Sequence, residues 1–203
     1  YIHVGPEIGV ASTKAFTGQV TVLSMLALTI AQQKGTITQA RFEEMVKELQ
    51  GIPEKISMVL KNAEPVKELS KIFTYARNFI YLGRGYNYPA ALEGALKLKE
   101  ISYIHSEAYA AGELKHGTIS LIEDNILVIG VLTQSKLYEK TVSNMMECKS
   151  RGAYLIGVTN YGNYEMEDKV DFTVYVPKVD EHFMGSLAVI CLLYTSPSPR
   201  DGL

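Results

Sequence analysis

Cysteine is scarce in this chain: Cys148 and Cys191 are its only two among 203 residues, far apart and in no Cys-x-x-Cys pair. Neither a disulfide framework nor a zinc cage is encoded, and a reducing, cytoplasmic setting fits. An excess of charge is lacking too. With 20 Lys and Arg against 22 Asp and Glu, the formal net charge is −2, which supplies neither a basic field for a nucleic-acid backbone nor an acidic tail. A small-molecule partner is favoured, and nucleic acid is not. No apolar run reaches the roughly 20 residues that a membrane span needs; the longest, Val20 to Ala31, is interrupted by Thr21, Ser24 and Thr29. No charged-then-apolar signal opens the chain, so no membrane association is expected. Its length allows a sizeable core, in one ordinary domain or parts of two.

What the chain does have is a concentrated chemical block from Ala95 to Gly117. Lys97, Lys99, Glu100, His105, Glu107, Glu113, Lys115 and His116 stand there around a strip of Ala and Gly. A simple packed core would want larger apolar side chains and few ionisable ones, so the composition marks a site.

The flanking pattern is that of an α/β layer. Ser12 or Thr13 can cap a first helix, in which Val20, Leu23, Ala27 and Ile30 recur at helical spacing and Leu26 and Leu28 make more than one side apolar; such a helix is expected to be buried. Lys34-Gly35 ends it. From Thr38 to about Tyr75 the pattern is charged and helical, cut by Gly51-Ile52-Pro53 and by Pro65 into two or three short helices. Strands are predicted at 78–82, 126–132, 154–158 and 172–176, with helices at 89–103, 135–151 and 184–193 between and after them. This alternation implies a doubly wound parallel sheet, whose ligands bind beyond the carboxyl ends of the strands. The turn at Gly83 and the loop Thr133-Gln134-Ser135 lie at those ends.

Three tempting motifs fail. Gly83-x-Gly85 follows a strand, but position 88 is Tyr where a dinucleotide fingerprint needs a third Gly, so no nicotinamide cofactor is expected. His105-x-Glu107 lacks the Pro-Cys-x-x-Cys that completes a zinc deaminase site. His3, His105, His116 and His182 show no ligand spacing, and neither a metal nor any other cofactor is expected.

Two segments carry a family likeness. Glu7-Ile8-Gly9-Val10-Ala11-Ser12-Thr13-Lys14-Ala15-Phe16 and the block Leu92 to Gly117 closely resemble the glutamine:fructose-6-phosphate amidotransferase family. The second contains Glu93-Gly94-Ala95-Leu96-Lys97-Leu98-Lys99-Glu100 and Gly112-Glu113-Leu114-Lys115-His116-Gly117. The likeness runs to about Ile190 and belongs to that family's isomerase half, built from two sugar-isomerase (SIS) subdomains. It implies a flavodoxin-like three-layer sandwich. Residues 1–35 would end the first subdomain, 36–70 would form a helical connector, and 71–190 would be most of the second subdomain. Residues 191–203, with two Pro and three Ser or Thr, read as a foreign or disordered tail.

The implied reaction makes glucosamine 6-phosphate from fructose 6-phosphate and glutamine-derived ammonia. It requires opening the sugar ring, adding ammonia at C2 and moving a proton between C1 and C2, the last by a partly buried carboxylate beside the carbon. By resemblance Glu100 is that base, Lys97 holds it or contacts the open-chain sugar, and His116 is the ring-opening acid/base in a neighbouring subunit's pocket. Val10, Ala11 and Ser12 resemble the sugar-contacting end of the first subdomain. From the residues alone, Glu100 can equally be a surface partner of Lys97 or Lys99, Lys97 a partner of Glu93, and Ser12 a simple cap. The resemblance also implies a homodimer and a glutaminase domain in the same full-length chain. The family's phosphate loop would lie upstream of Tyr1, and its Schiff-base lysine in the tail that 192–203 replaces, so this chain by itself is expected to be inactive. A phosphosugar-sensing SIS module of a regulator, or an SIS-type amino-sugar-phosphate deaminase or deglycase, stands as the alternative.

Overall fold

A computed structural model of the chain describes residues 1–6, 12–73 and 76–183. Five strands form one sheet: β1 (Asn78–Gly83), β2 (His105–Ala110), β3 (Leu127–Val131), β4 (Tyr154–Asn160) and β5 (Phe172–Val176). Their order is β2-β1-β3-β4-β5, and every pairing is parallel. Side chains alternate across a strand, so each strand serves two cores. Phe79, Tyr81, Leu127, Ile129 and Val131 face one layer of helices; Ile80, Leu82, Val128 and Leu155 face the other. The result is the expected three-layer sandwich.

The first layer holds α4 (Asn87–Ser102), α2 (Gln39–Lys61) and α3 (Glu64–Ile72). The small residues Ala90, Ala91 and Ala95 let α4 lie close on the sheet, while Met45, Ile52, Val59, Val66 and Leu69 bring α2 and α3 onto the same core. The second layer is α5 (Tyr138–Lys149) with the 3-10 helix Ala111–His116, joined through Val142, Met145, Cys148, Ala111 and Leu114. Burial pushes the Cys148 thiol up to about 12, which makes it a packing residue, not a nucleophile.

Two departures from the sequence reading have clear causes. The break placed at Gly51-Ile52-Pro53 does not occur, because α2 runs through Pro53. An interior Pro costs about 3 kcal/mol, but Met45, Ile52 and Val59 are all buried in this helix, at about 1.5–3 kcal/mol each. Strand β2 carries no apolar run and was not predicted. It is an edge strand whose His105 is exposed and whose Glu107 and Tyr109 are half-buried, and hydrogen bonding to β1 alone defines it. The helix expected at 184–193 and the tail 191–203 lie outside the described residues.

Helix α1 (Thr13–Gln33) is capped by Ser12, whose Oγ accepts from the Ala15 N–H at 3.4 Å. Contrary to the expectation of burial, Leu28 is its only buried residue; Leu23, Met25 and Leu26 are 62, 54 and 53% exposed. By length and composition alone this helix is also long and apolar enough to cross a membrane, as is a core helix of a soluble protein. Counting the apolar run missed this because Thr17, Thr21, Ser24 and Thr29 return their hydroxyls to the carbonyls four residues back, at 2.8–2.9 Å. Replacing Leu23 and Leu26 together by Glu is expected to reduce self-association of the isolated chain in light scattering. The melting temperature should stay nearly unchanged, since exposed positions move stability by about 0.5 kcal/mol or less.

The β1–α4 turn depends on glycine. A Cβ on Gly83 would lie 2.5 Å from the Asn87 carbonyl oxygen and 2.8 Å from the Tyr88 Cα, both backbone atoms that cannot step aside. Gly83→Ala is therefore expected to push α4 off the sheet and destabilise by about 1–3 kcal/mol, read as a lower urea midpoint.

Candidate functional site

Three ionisable residues form one stripe on α4, because positions four and three apart share a helix face. Lys97 is in the middle and only 5% exposed. Its Nζ lies 2.5 Å from Glu100 Oε2 and 3.7 Å from Glu93 Oε1. The Glu93 and Glu100 side chains are 13% and 22% exposed. An ammonium held so far from water needs this double pairing. Burial raises the Glu93 carboxyl above the usual carboxylate range; Lys97 pulls it down and Glu100 pushes it up. Glu93 entered the sequence reading only as a bland partner for Lys97. Its spacing from Lys97 is the signal that could have promoted it.

The end of α4 is held tightly. Tyr103 caps it in the left-handed conformation at φ 61°, which a residue with a Cβ adopts only at a cost. The Ser102 hydroxyl donates to the Leu98 carbonyl and accepts from the Ile104 N–H. On β2, the buried Ser106 hydroxyl donates to the Ala95 carbonyl at 2.6 Å. Glu100 therefore sits on a helix turn anchored from both sides.

The remaining sequence candidates are placed as follows. Lys97 and Glu100 lie on the helix after β1, as expected, but towards the end of α4, about 15 and 20 Å along its axis from its start near the strand's carboxyl end. They are thus remote from the crevice over the sheet where a ligand was expected to lie. His116 closes the 3-10 helix Ala111–His116, exposed, in the layer opposite α4. The chain does not bring it to Glu100; the sheet stands between the two layers. Ser12 caps α1, while Val10, Ala11 and Glu7 lie outside the described residues. Lys14 donates to the Pro6 carbonyl, and Glu113 is exposed. His105 lies 3.8 Å from Glu107, and Tyr109 donates to the same carboxylate. That bond, then burial, raises the Tyr109 phenol to about 12. Cavities of about 190 and 360 Å³ lie away from Lys97, Glu100 and His116, the larger lined by this β2 group with Ser120, Leu121 and Glu123. Among the described residues no three His, Cys, Asp or Glu gather as metal ligands.

Chemically, the stripe offers a carboxylate whose one oxygen is clamped by a buried ammonium and whose other oxygen can take and return a proton. Comparison with known proteins identifies the family. The SIS domain model matches residues 72–196. The chain is 57% identical over 181 residues to a glutamine–fructose-6-phosphate aminotransferase (isomerizing) of Bacteroides thetaiotaomicron, covering 89% of this chain and 30% of that protein. It is 48% identical over 192 residues to the Clostridium tetani protein of the same name, covering 95% and 32%. The chain thus spans about a third of the length of these curated relatives. In structure it matches the C-terminal domain of glucosamine-fructose-6-phosphate aminotransferase from Francisella tularensis. The TM-score is 0.88 at 37% identity, over 95% of this chain and 54% of that one.

Proposed function

The chain belongs to the SIS domain family, and on that footing we propose that it is the isomerase part of a glutamine:fructose-6-phosphate amidotransferase. The observation that carries this reading is the buried Lys97 clamped between Glu93 and Glu100. It is supported by 57% identity to a protein of that name. The remainder of the full-length protein would supply the glutaminase part and the first SIS subdomain. Residues 1–35 would belong to that subdomain, 36–70 to the connector and 71–190 to the second.

Ring opening of fructose 6-phosphate exposes the C2 ketone, and ammonia condenses there with loss of water to an imine. Glu100 then removes a proton from C1, and the electron pair of that C–H bond shifts toward C2 as the imine nitrogen is protonated. Glu100 returns its proton to C2 while the C1 hydroxyl gives up its own proton to balance the one taken by nitrogen, and the C1–O bond becomes double, which leaves an amine at C2 and an aldehyde at C1. Lys97 fixes Glu100 Oε2 and, by its positive charge, steadies negative charge on the carboxylate or on the open-chain sugar. Val10, Ala11 and Ser12 contact the sugar.

His116 serves ring opening in the site of a second copy, since in its own chain the sheet separates it from Glu100. A homodimer follows from this reading. The test uses the complete enzyme carrying this sequence, supplied with glutamine and fructose 6-phosphate, with glucosamine 6-phosphate followed by mass spectrometry. No product would overturn the assignment. Mixing Glu100→Gln and His116→Gln versions under exchange of subunits is expected to restore part of the activity that each lacks, because one site per mixed dimer keeps both groups. Mixtures no more active than either variant would show that both groups act within one chain.

A further inference from the structure

The exposed His116 side chain makes no hydrogen bond or ion pair among the described residues, so its place is set by the backbone of the 3-10 helix Ala111–His116 that carries it. That helix is six residues long and has no side-chain cap. Such a turn is weakly bonded by itself, and its position is decided by what grips it from outside. Ala111 and Leu114, both fully buried, fix its inner face, and Lys115 reaches Glu147 of α5 at 2.8 Å. The remaining grip comes from the β1–α4 turn.

Arg84 stands in that turn between Gly83 and Gly85. Its guanidinium lies flat over Gly112, the second residue of the 3-10 helix: a Cβ there would meet Nη1, Nη2 and Cζ at the nearly equal distances of 3.1, 3.2 and 3.3 Å. Gly112 is not among the glycines of positive φ, so it is the space, and not the backbone conformation, that calls for glycine. Nη2 of the same group donates to Oδ1 of Asn144 on α5 at 2.9 Å, and Asn144 is buried. The Arg84 carbonyl, for its part, accepts from the N–H of Asn87 at 3.1 Å, the first residue of α4. One residue thus joins the start of the helix that bears Glu100 to the start of the one that bears His116. No carboxylate pairs with this guanidinium among the described residues, and its buried Nε has no partner. Packing alone would be served at lower cost by an apolar side chain. What arginine adds is a flat, rigid fork of fixed orientation.

We propose that Arg84 is a positioning residue for ring opening: it seats the 3-10 helix through Gly112 and so sets where His116 stands, without touching the sugar itself. The inference rests on the isomerase reading above, in which His116 serves the site of a second copy. That arrangement gives Arg84 a signature. Loss of its side chain damages the site that borrows His116 from the altered chain and spares the site built on that chain's own Glu100, because the carbonyl bond to α4 survives any side-chain replacement.

The test uses the complete enzyme carrying this sequence with Arg84→Met, or with Arg84→Lys should Arg84→Met not fold, since lysine keeps the charge but not the flat plane. Turnover to glucosamine 6-phosphate is expected to fall roughly ten- to a hundredfold, the scale of a misplacement of about 1 Å, with KM for fructose 6-phosphate changed little. Under exchange of subunits, the variant mixed with Glu100→Gln is expected to recover as much activity as His116→Gln does with Glu100→Gln. Mixed with His116→Gln, it should gain nothing over its own activity. Turnover within a few-fold of the parent would overturn the proposal, as would any other pattern of recovery while the Glu100→Gln and His116→Gln control recovers. A control that does not recover counts against the shared-site reading instead, and the proposal is then decided by NMR on the 203-residue chain. Movement of the His116 imidazole resonance in the Arg84 variant, with those of His3 and His105 in place, supports it; an unmoved His116 resonance overturns it.

Discussion

Glu100→Gln in the complete enzyme is expected to lower glucosamine 6-phosphate formation by roughly 10²–10⁴-fold, the usual loss when a general base is removed, with sugar-phosphate binding largely kept. The amide preserves size and can still meet the Lys97 ammonium through its oxygen, so the 2.5 Å contact seen with Glu100 Oε2 has a substitute. What it cannot do is take the C1 proton. The loss should therefore fall on kcat, with KM changed little. Steady-state turnover within a few-fold of the parent would remove Glu100 from the mechanism and leave it the surface partner that its sequence context also allows.

Lys97→Met is expected to produce the largest loss of stability, about 3 kcal/mol, because removing one member of a buried ion cluster strands the others. The Lys97 side chain is 6% exposed, and its two carboxylate partners 13% and 22%. The pH dependence gives the role its signature. Burial sets the Glu93 carboxyl above its ordinary value of 4.5, against the pull of Lys97. In the window above 4.5 the folded state thus holds more proton than the unfolded one, and stability falls as pH rises through it. Without Lys97 the carboxyl moves higher still, and the window widens upward. The deficit of Lys97→Met relative to the parent should be greatest near neutral pH and shrink on acidification. Urea unfolding of both proteins across that range measures it. A deficit independent of pH would mean that Lys97 contributes only the packing of its methylenes.

The outer strand of the candidate cluster shows where sequence patterns lose their force. In β1 and β3 nearly every residue is buried, and a strand enclosed on both faces must be continuously apolar, so both strands are legible as runs. In β2, enclosed on one face and paired on one side, backbone hydrogen bonds suffice and the side chains are free to be His105, Glu107 and Tyr109. For the same reason a proline in α2 misleads. Local propensity is a weak penalty against several buried apolar side chains, and only the packed helix reveals that they exist.

The sequence by itself determined the α/β alternation, a hydroxyl cap at Ser12 or Thr13, the helix that carries Lys97 and Glu100, and the chemical types in the block from Ala95 to Gly117. These follow from periodicity and composition, which act between near neighbours along the chain. Tertiary structure alone decided three further matters. It put Lys97 out of water between Glu93 and Glu100, because burial depends on what packs over a helix face and not on spacing within it. It set His116 in the layer opposite Glu100, because the path from β2 through the 3-10 helix crosses to the other side of the sheet. And it lodged Gln134 against the start of α4, a meeting of residues 48 positions apart that exists only once β1 and β3 lie side by side.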